Sequence, residues 1–313
     1  MRTYLYGWAK QDTRIEDYMT SATEVLFGHA APIERSFRNK IIGFMTLNRI
    51  ALNILALPAV IGVTALAGGN FNDSRLPILF IIVLLMFIAG NITNDIADSE
   101  RDRRKWPLRP LASGLISKSM ATFYVIMIAG IALLLAGVVY NWLCAALWLS
   151  VLVLSYVYSR YARDKIGHLT VLIPEVFIPV AIWAAISPGT MLTPLLWIIV
   201  AILAAGGAAL NFTNESFFPE VKALVVQPRP YVEMGLYATC VLICFSAGTA
   251  IFFYAKLSWM YMLVLIALTM WALWTAKCLG EQRSPEMAKK AYVTWAAQVT
   301  FFILSITLFS WIK

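Results

Sequence analysis

Residues 91–110 read Asn91-Ile-Thr-Asn94-Asp95-Ile-Ala-Asp98-Ser-Glu-Arg101-Asp102-Arg103-Arg104-Lys105-Trp-Pro-Leu-Arg109-Pro110, and they close an apolar run that begins near residue 76. On a helix Asn94, Asp98 and Asp102 fall at i, i+4 and i+8, while Asp95, Asp98 and Asp102 fall at i, i+3 and i+7. All four oxygen-bearing side chains therefore share one face. Three neighbouring carboxylates repel one another unless positive charge stands among them. A divalent cation removes that repulsion, and an oxygen-only set of carboxylates and one amide suits Mg²⁺, which binds through one or two carboxylates plus substrate phosphate oxygens. Arg101, Arg103, Arg104, Lys105 and Arg109 are placed to hold a diphosphate against such an ion. A solvated loop of mixed charge would account for the arginines but leaves the spacing of the carboxylates without a cause.

Around this stretch the chain is that of a polytopic membrane protein. Its 313 residues are 60% hydrophobic and only 13% charged, with a mean hydropathy of +0.74. Nine apolar segments are long enough to cross a hydrocarbon core of about 30 Å: roughly 43–67, 76–95, 119–140, 142–159, 168–187, 191–212, 232–254, 258–279 and 291–312. The expected fold is all-α, a helical bundle of about nine transmembrane helices. Residues 1–40 form a polar amino-terminal arm, and 41–313 a single transmembrane domain. The arm carries Arg2, Lys10 and Arg14 and does not resemble a leader, so the first apolar segment is expected to be a retained helix.

The cations set the orientation. Twenty-one of the 25 Lys and Arg residues fall in the arm or in the loops after the second, fourth, sixth and eighth segments, while the opposite loops hold chiefly Arg75 and Lys256. Since Lys and Arg resist translocation, the amino terminus and the acidic motif are expected on the cytoplasmic side of a plasma (inner) membrane. The net charge of +8 is then a matter of topology and of attraction to anionic lipids and substrates, and gives no reason to expect a nucleic-acid partner. Cys144, Cys240, Cys244 and Cys278 all lie in apolar runs without His or carboxylate partners and are read as packing residues.

The motif has an internal echo. Asn91-Ile-Thr-Asn94-Asp95 recurs as Asn211-Phe-Thr-Asn214-Glu215, and the same offset of 120 residues carries Arg109-Pro110 onto Arg229-Pro230. Four crossings separate the copies, so both are expected on one face, in two pseudo-repeated halves of about 41–160 and 161–313. The copies differ. In the second, Phe218 and Lys222 stand in the register of Asp98 and Asp102, leaving Asn211, Asn214, Glu215 and Glu220 as oxygen donors. Lys222 and Arg229 shift that half toward diphosphate binding.

Further candidates are scattered. After the fourth segment Tyr156-Val-Tyr158-Ser159-Arg160-Tyr161-Ala-Arg163-Asp164-Lys165 interleaves tyrosines with cations, and Tyr156 and Arg160 share a helix face. These are either interface anchors or diphosphate ligands. Asn48 and Arg49 in the first segment, and Glu175 after Pro174 in the fifth, are polar groups within apolar runs, and an intramembrane ionisable residue is a functional candidate by default. His29 and His168 lack metal-ligand spacing.

Asn94-Asp95-x-x-Asp98-x-x-x-Asp102, with Arg109-Pro110 downstream, resembles the first Asp-rich motif of the UbiA superfamily of intramembrane prenyltransferases. Tyr156-x-x-x-Arg160 is similar to that family's Tyr-x-x-x-Lys element, and the second Asp-rich motif is reduced here to Asn211, Asn214, Glu215 and Glu220. The resemblance implies a bundle around a lateral, lipid-accessible cavity where Mg²⁺ and cations bind the diphosphate of an allylic isoprenoid. It implies Asp95, Asp98, Asp102 and Glu215 as catalytic residues and Asn94, Asp95, Asp98, Asp102, Asn214 and Glu215 as metal ligands. Arg49, Lys105, Arg109, Tyr156, Arg160, Arg163, Lys222 and Arg229 are implied as the diphosphate site.

The expected activity is Mg²⁺-dependent transfer of an isoprenoid group from a prenyl diphosphate to a lipophilic acceptor, aromatic or quinone-like. A second reading in the same fold is a terpene cyclase that uses no acceptor, which the reduced second motif keeps open. A transporter built from repeated halves would place its polar motifs at the bilayer midplane, not at a helix end.

Overall fold

A computed structural model describes residues 30–32, 35–54, 56–105, 107–162, 172–216, 230–281 and 285–311. The described residues form helices and turns without a strand, and each of the nine apolar segments falls on helix. Among the described residues five helices are long and apolar enough to cross a membrane: Leu76–Arg103, Lys118–Tyr140, Trp142–Tyr161, Tyr237–Ala255 and Trp259–Cys278. Four shorter apolar helices, Leu57–Leu66, Val176–Ile186, Pro194–Gly207 and Ala297–Phe309, account for the other segments. The protein is thus a multi-pass helical membrane protein.

The first segment is not one helix but three. Helix α1 (Phe37–Asn48) starts at Ser36, whose hydroxyl accepts from the Asn39 amide, and stops where Arg49 turns into the left-handed region at φ 44°, ψ 46°. A short α2 (Ile50–Ile54) follows, then α3 (Leu57–Leu66), entered through Pro58 in its first turn. Hydropathy cannot register such a break, because Asn48 and Arg49 interrupt the pattern too briefly. The second segment is longer than its apolar run. Helix α4 spans Leu76–Lys105, so the whole acidic motif is helical. Local pairs help to hold the extension, with Arg101 3.6 Å from Asp98 and Arg103 3.2 Å from Glu100, each at i,i+3.

The later elements are α5 (Lys118–Leu135), continued by a π-helical turn at Ala136–Tyr140, and α6 (Trp142–Val157), continued by another at Tyr158–Ala162. They are followed by α7 (Leu172–Ile186), α8 (Pro194–Ser216), α9 (Pro230–Ala255), α10 (Trp259–Glu281) and α11 (Pro285–Trp311). Pro179 lies inside α7, and Pro174 in its first turn. Asn141 joins the middle of the bundle. Its side chain caps α6 by accepting from the Cys144 amide at 2.8 Å and donates to the Ala184 carbonyl of α7, also at 2.8 Å.

From α4 onward each helix packs on the next, and α11 returns to α3, so the bundle closes on itself. In lipid, helices associate through close van der Waals packing more than through apolar burial, and small residues permit the approach. Gly62 of α3 lies so close to Ile303 of α11 that a Cβ there would collide with it. A Cβ on Gly248 of α9 would sit 2.9 Å from Leu265 of α10. The interior is aromatic and aliphatic, with Trp148, Trp183 and Tyr261 almost wholly buried, whereas Phe123, Ile126, Leu134, Val138, Met270 and Trp274 are exposed. An exterior of this kind is suited to acyl chains and not to water.

The four cysteines are free, and Cys144 and Cys240 are buried. This agrees with packing.

Candidate functional site

One face of α4 gathers the polar residues that an apolar bundle would otherwise exclude. Asp95, Asp98 and Asp102 are 6%, 9% and 4% exposed, as the shared helical face requires. Each meets a guanidinium. Arg49 hydrogen-bonds Asp95 from the break between α1 and α2. Arg109, in the turns after α4, lies 2.8 Å from Asp102 and 3.6 Å from Asp95, and Arg101 lies 3.6 Å from Asp98. Asp95 therefore stands between two cations from different parts of the chain. Buried carboxylates carry a desolvation cost of several kcal/mol each, so nearby compensating charge is a condition of their burial.

The local sequence explains how both arginines arrive. The left-handed backbone at Arg49 is disfavoured for a residue with a Cβ, by roughly 1–3 kcal/mol. It turns the chain near the start of the first apolar segment. The segment bearing Arg109 is pinned by Leu111, Leu115 and Ile116, which are buried with Leu47 of α1, Ile88, Ala89 and Ile92 of α4, and Ala121 of α5. The amino-terminal arm contributes as well. Ala30 and Ala31 are each 1% exposed, and the Ala31 amide donates to the Leu108 carbonyl at 2.9 Å. The end of the arm thus holds the backbone next to Arg109.

Three amides and a hydroxyl complete the polar cluster. Asn94 accepts a hydrogen bond from the Ser159 hydroxyl in the π-helical turn after α6. Asn91 donates to the Asn53 side chain at 2.7 Å, and Asn53 donates in turn to the Asn48 carbonyl at 2.5 Å. Asn53 and Ser159 were not singled out by the sequence. A lone Asn five residues after Asn48 in an apolar run is the signal for the first. Ser159 lay hidden among charged and aromatic neighbours.

This face does not take in every described candidate. Tyr156 and Arg160 do share a face, but it is an exposed one, and the Arg160 guanidinium lies 5.9 Å from the Tyr161 ring centre. It is Ser155, Tyr158 and Ser159 that are buried there. Arg103 is exposed beside Glu100, which also meets Lys118 at 2.9 Å. Asn211, Asn214 and Glu215 occupy the last turns of α8, with side chains outside the described residues. The same holds for the side chains of Arg104, Lys105 and Glu175, while Arg163, Lys165, Glu220, Lys222, Arg229, His29 and His168 lie wholly outside them.

The donor set fits a hard divalent cation. Three buried carboxylates and an amide oxygen on one face supply oxygen only, with no sulfur or imidazole. Among the described residues no three acidic, His or Cys side chains are gathered tightly enough to hold an ion as they stand. Asp95 and Asp102 are seven residues apart, about 10 Å along a helix. A cation on this face would thus be held by few protein ligands and completed by those of a bound anion.

The chain matches the UbiA prenyltransferase family over residues 55–306. It is 33% identical over 120 residues to a digeranylgeranylglyceryl phosphate synthase of Thermococcus sibiricus, covering 38% of this chain and 43% of that protein. Over 113 residues it is 37% identical to the synthase of the same name from Methanococcus aeolicus, covering 34% and 39%. These matches span about two fifths of the curated relatives' length. Among solved structures, the fold is similar to a UbiA homologue from Aeropyrum pernix K1, with a TM-score of 0.69 at 18% identity over 83% of this chain and 98% of that one. It is also similar to a UbiA homologue from Archaeoglobus fulgidus bound to DMAPP and Mg²⁺, with a TM-score of 0.58 at 14% identity over 84% and 98%. A match running through most of the sequence, on a chain folded as those two homologues are, makes this protein a member of the UbiA prenyltransferase family.

Proposed function

We propose that this protein transfers an isoprenoid group from an allylic prenyl diphosphate to a lipophilic acceptor within the membrane. The observation that carries the reading is the inward face of α4, where Asp95, Asp98 and Asp102 are buried among Arg49, Arg101 and Arg109 in a chain of this family. Such a face is built to change partners. Guanidiniums that neutralise carboxylates in the free protein are the groups that bind phosphate oxygens bidentately when a diphosphate arrives.

In this reading Asp95, Asp98 and Asp102, with Asn94, hold Mg²⁺, and Arg49 and Arg109 take the diphosphate. Mg²⁺, when bound, supplies the positive charge that offsets the diphosphate and the leaving pyrophosphate. The allylic carbon–oxygen bond breaks with its electron pair going to pyrophosphate. The acceptor nucleophile forms the new bond to that carbon and gives up its proton. Fixed cations aimed at the leaving group act most strongly away from bulk water, and exclusion of water keeps the allylic cation from hydrolysis. Asn211, Asn214, Glu215, Lys222 and Arg229 are assigned to a second, weaker part of the same site, in a carboxy-terminal half that repeats the first. The motif faces the cytoplasm, as the cation distribution implies.

The name of the curated relatives favours a glyceryl lipid hydroxyl as acceptor over an aromatic or quinone-like ring. Phe218 and Lys222, where the first copy has carboxylates, support the cyclase as a second reading. The test is pyrophosphate release by the protein in lipid nanodiscs with Mg²⁺ and C10 to C20 prenyl diphosphates, with and without a glyceryl phosphate lipid or a quinone precursor, beside Asp98→Asn. Release that needs an acceptor and is lost in the variant supports transfer, and the product mass identifies the acceptor. Release without acceptor that yields a hydrocarbon selects the cyclase, and no release from any donor overturns both.

A further inference from the structure

The break in the first segment requires an explanation that the diphosphate reading alone does not provide. Arg49 sits in a left-handed conformation that only local constraint can maintain. Its Nε is buried and makes no hydrogen bond, so the side chain is held through its terminal nitrogen on Asp95 and through the backbone beneath it. Ending α1 at Asn48 also frees that helix's last carbonyls, which need donors in an apolar setting.

Asn53 answers both needs. It is 1% exposed, and its amide nitrogen donates to the Asn48 carbonyl, the residue just before the break. Its backbone N–H donates to the Arg49 carbonyl at 3.1 Å, so the same residue grips the chain on both sides of the turn. Its amide oxygen accepts from Asn91 of α4, one helical turn before Asp95. The turn that carries Arg49 is thereby tied to the helix that carries its partner.

We propose that Asn53 is a positioning residue of the site: bridging the Asn48 carbonyl and the Asn91 side chain, it fixes the α1–α2 break so that Arg49 projects onto Asp95 and onto the diphosphate that displaces it. This rests on the diphosphate reading above. Asn53 itself touches no substrate. It acts by setting where one guanidinium stands, as a bridge with two side-chain bonds can and an apolar side chain of similar size cannot.

The experiment measures binding of inorganic pyrophosphate with Mg²⁺ to the full chain in nanodiscs by calorimetry, together with thermal midpoints. Asn53→Leu alone leaves the Asn91 amide and the Asn48 carbonyl unpaired, so it should lower both midpoint and affinity. In Asn53→Leu with Asn91→Leu the side-chain pair is replaced by apolar groups, which should recover much of the midpoint. Affinity should remain about tenfold weaker, since Arg49 is still unguided. In an Arg49→Gln background the same pair of changes should alter affinity less than about twofold, because the group they position is gone. Full affinity in the double variant, or an undiminished loss in the Arg49→Gln background, would overturn the positioning role. Loss of binding in Asp98→Asn with an unaltered Asn53→Leu rejects this inference and leaves the diphosphate reading standing. Unchanged binding in Asp98→Asn and Arg49→Gln alike rejects the diphosphate reading, and this inference with it.

Discussion

Arg109 and Arg103 are six residues apart in one cationic run, yet their surroundings give them different weights. Arg109 is largely buried against Asp102 and Asp95, while Arg103 and its partner Glu100 are both more than half exposed. Arg109→Ala leaves Asp102 without its 2.8 Å partner and should lower stability by about 2 kcal/mol, with Arg49 moderating the effect on Asp95. It should also reduce diphosphate turnover by roughly a hundredfold. Arg103→Ala should alter stability by less than about 0.5 kcal/mol. Thermal unfolding in nanodiscs and steady-state kinetics of the two variants check both. The three aspartates were legible because period alone puts them on one face. Asn53 and Ser159 were not, because spacing within a segment says nothing about which neighbouring helix a side chain will meet.

At the scale of elements, the sequence placed its apolar segments on helix but missed interruptions and extensions. Hydropathy averages over the single left-handed residue at Arg49, and it stops at residue 95 although α4 continues to Lys105. The π-helical turn at Tyr158–Ala162 follows a similar rule, since an extra residue per turn is invisible to composition. Asn141 is the element whose loss should be most informative. Asn141→Ala removes a helix cap and the bond to the Ala184 carbonyl, and should cost about 1–3 kcal/mol in a thermal melt. Gly62→Leu should destabilise by a similar amount by forcing α3 and α11 apart.

The turn before α4 has a pH signature. Arg75 hydrogen-bonds the Asp73 carboxylate and holds its pKa below the ordinary 3.8, so the stabilisation is fully present above that value and is lost as pH falls through the lowered one. Any gap in thermal midpoint between the wild type and Asp73→Asn should therefore be constant near neutrality and close in acid.

For the whole molecule, the ends of the crossings should sort by charge. Single cysteines introduced at Arg103 and at Lys256, in a background lacking the four native thiols, should react with impermeant maleimide from opposite sides of sealed vesicles. Helix α4 also has a length that the bilayer must accommodate. Thirty residues make a helix of about 45 Å, against a hydrocarbon core of about 30 Å. Counted from Leu76, Asp95 comes at about 28 Å and Asp102 at about 39 Å. With Leu76 at one edge of that core and α4 upright, Asp95 would reach the opposite hydrocarbon edge and Asp102 the headgroup region, where, on the function proposed above, a prenyl donor would leave its anionic head while its tail sinks into the acyl chains. On that placement membrane thickness is expected to affect turnover. Nanodiscs of long-chain lipids, thicker by several ångströms, would draw Asp95 deeper into the hydrocarbon and Asp102 toward its edge, and turnover should fall there while remaining high in lipids of ordinary length.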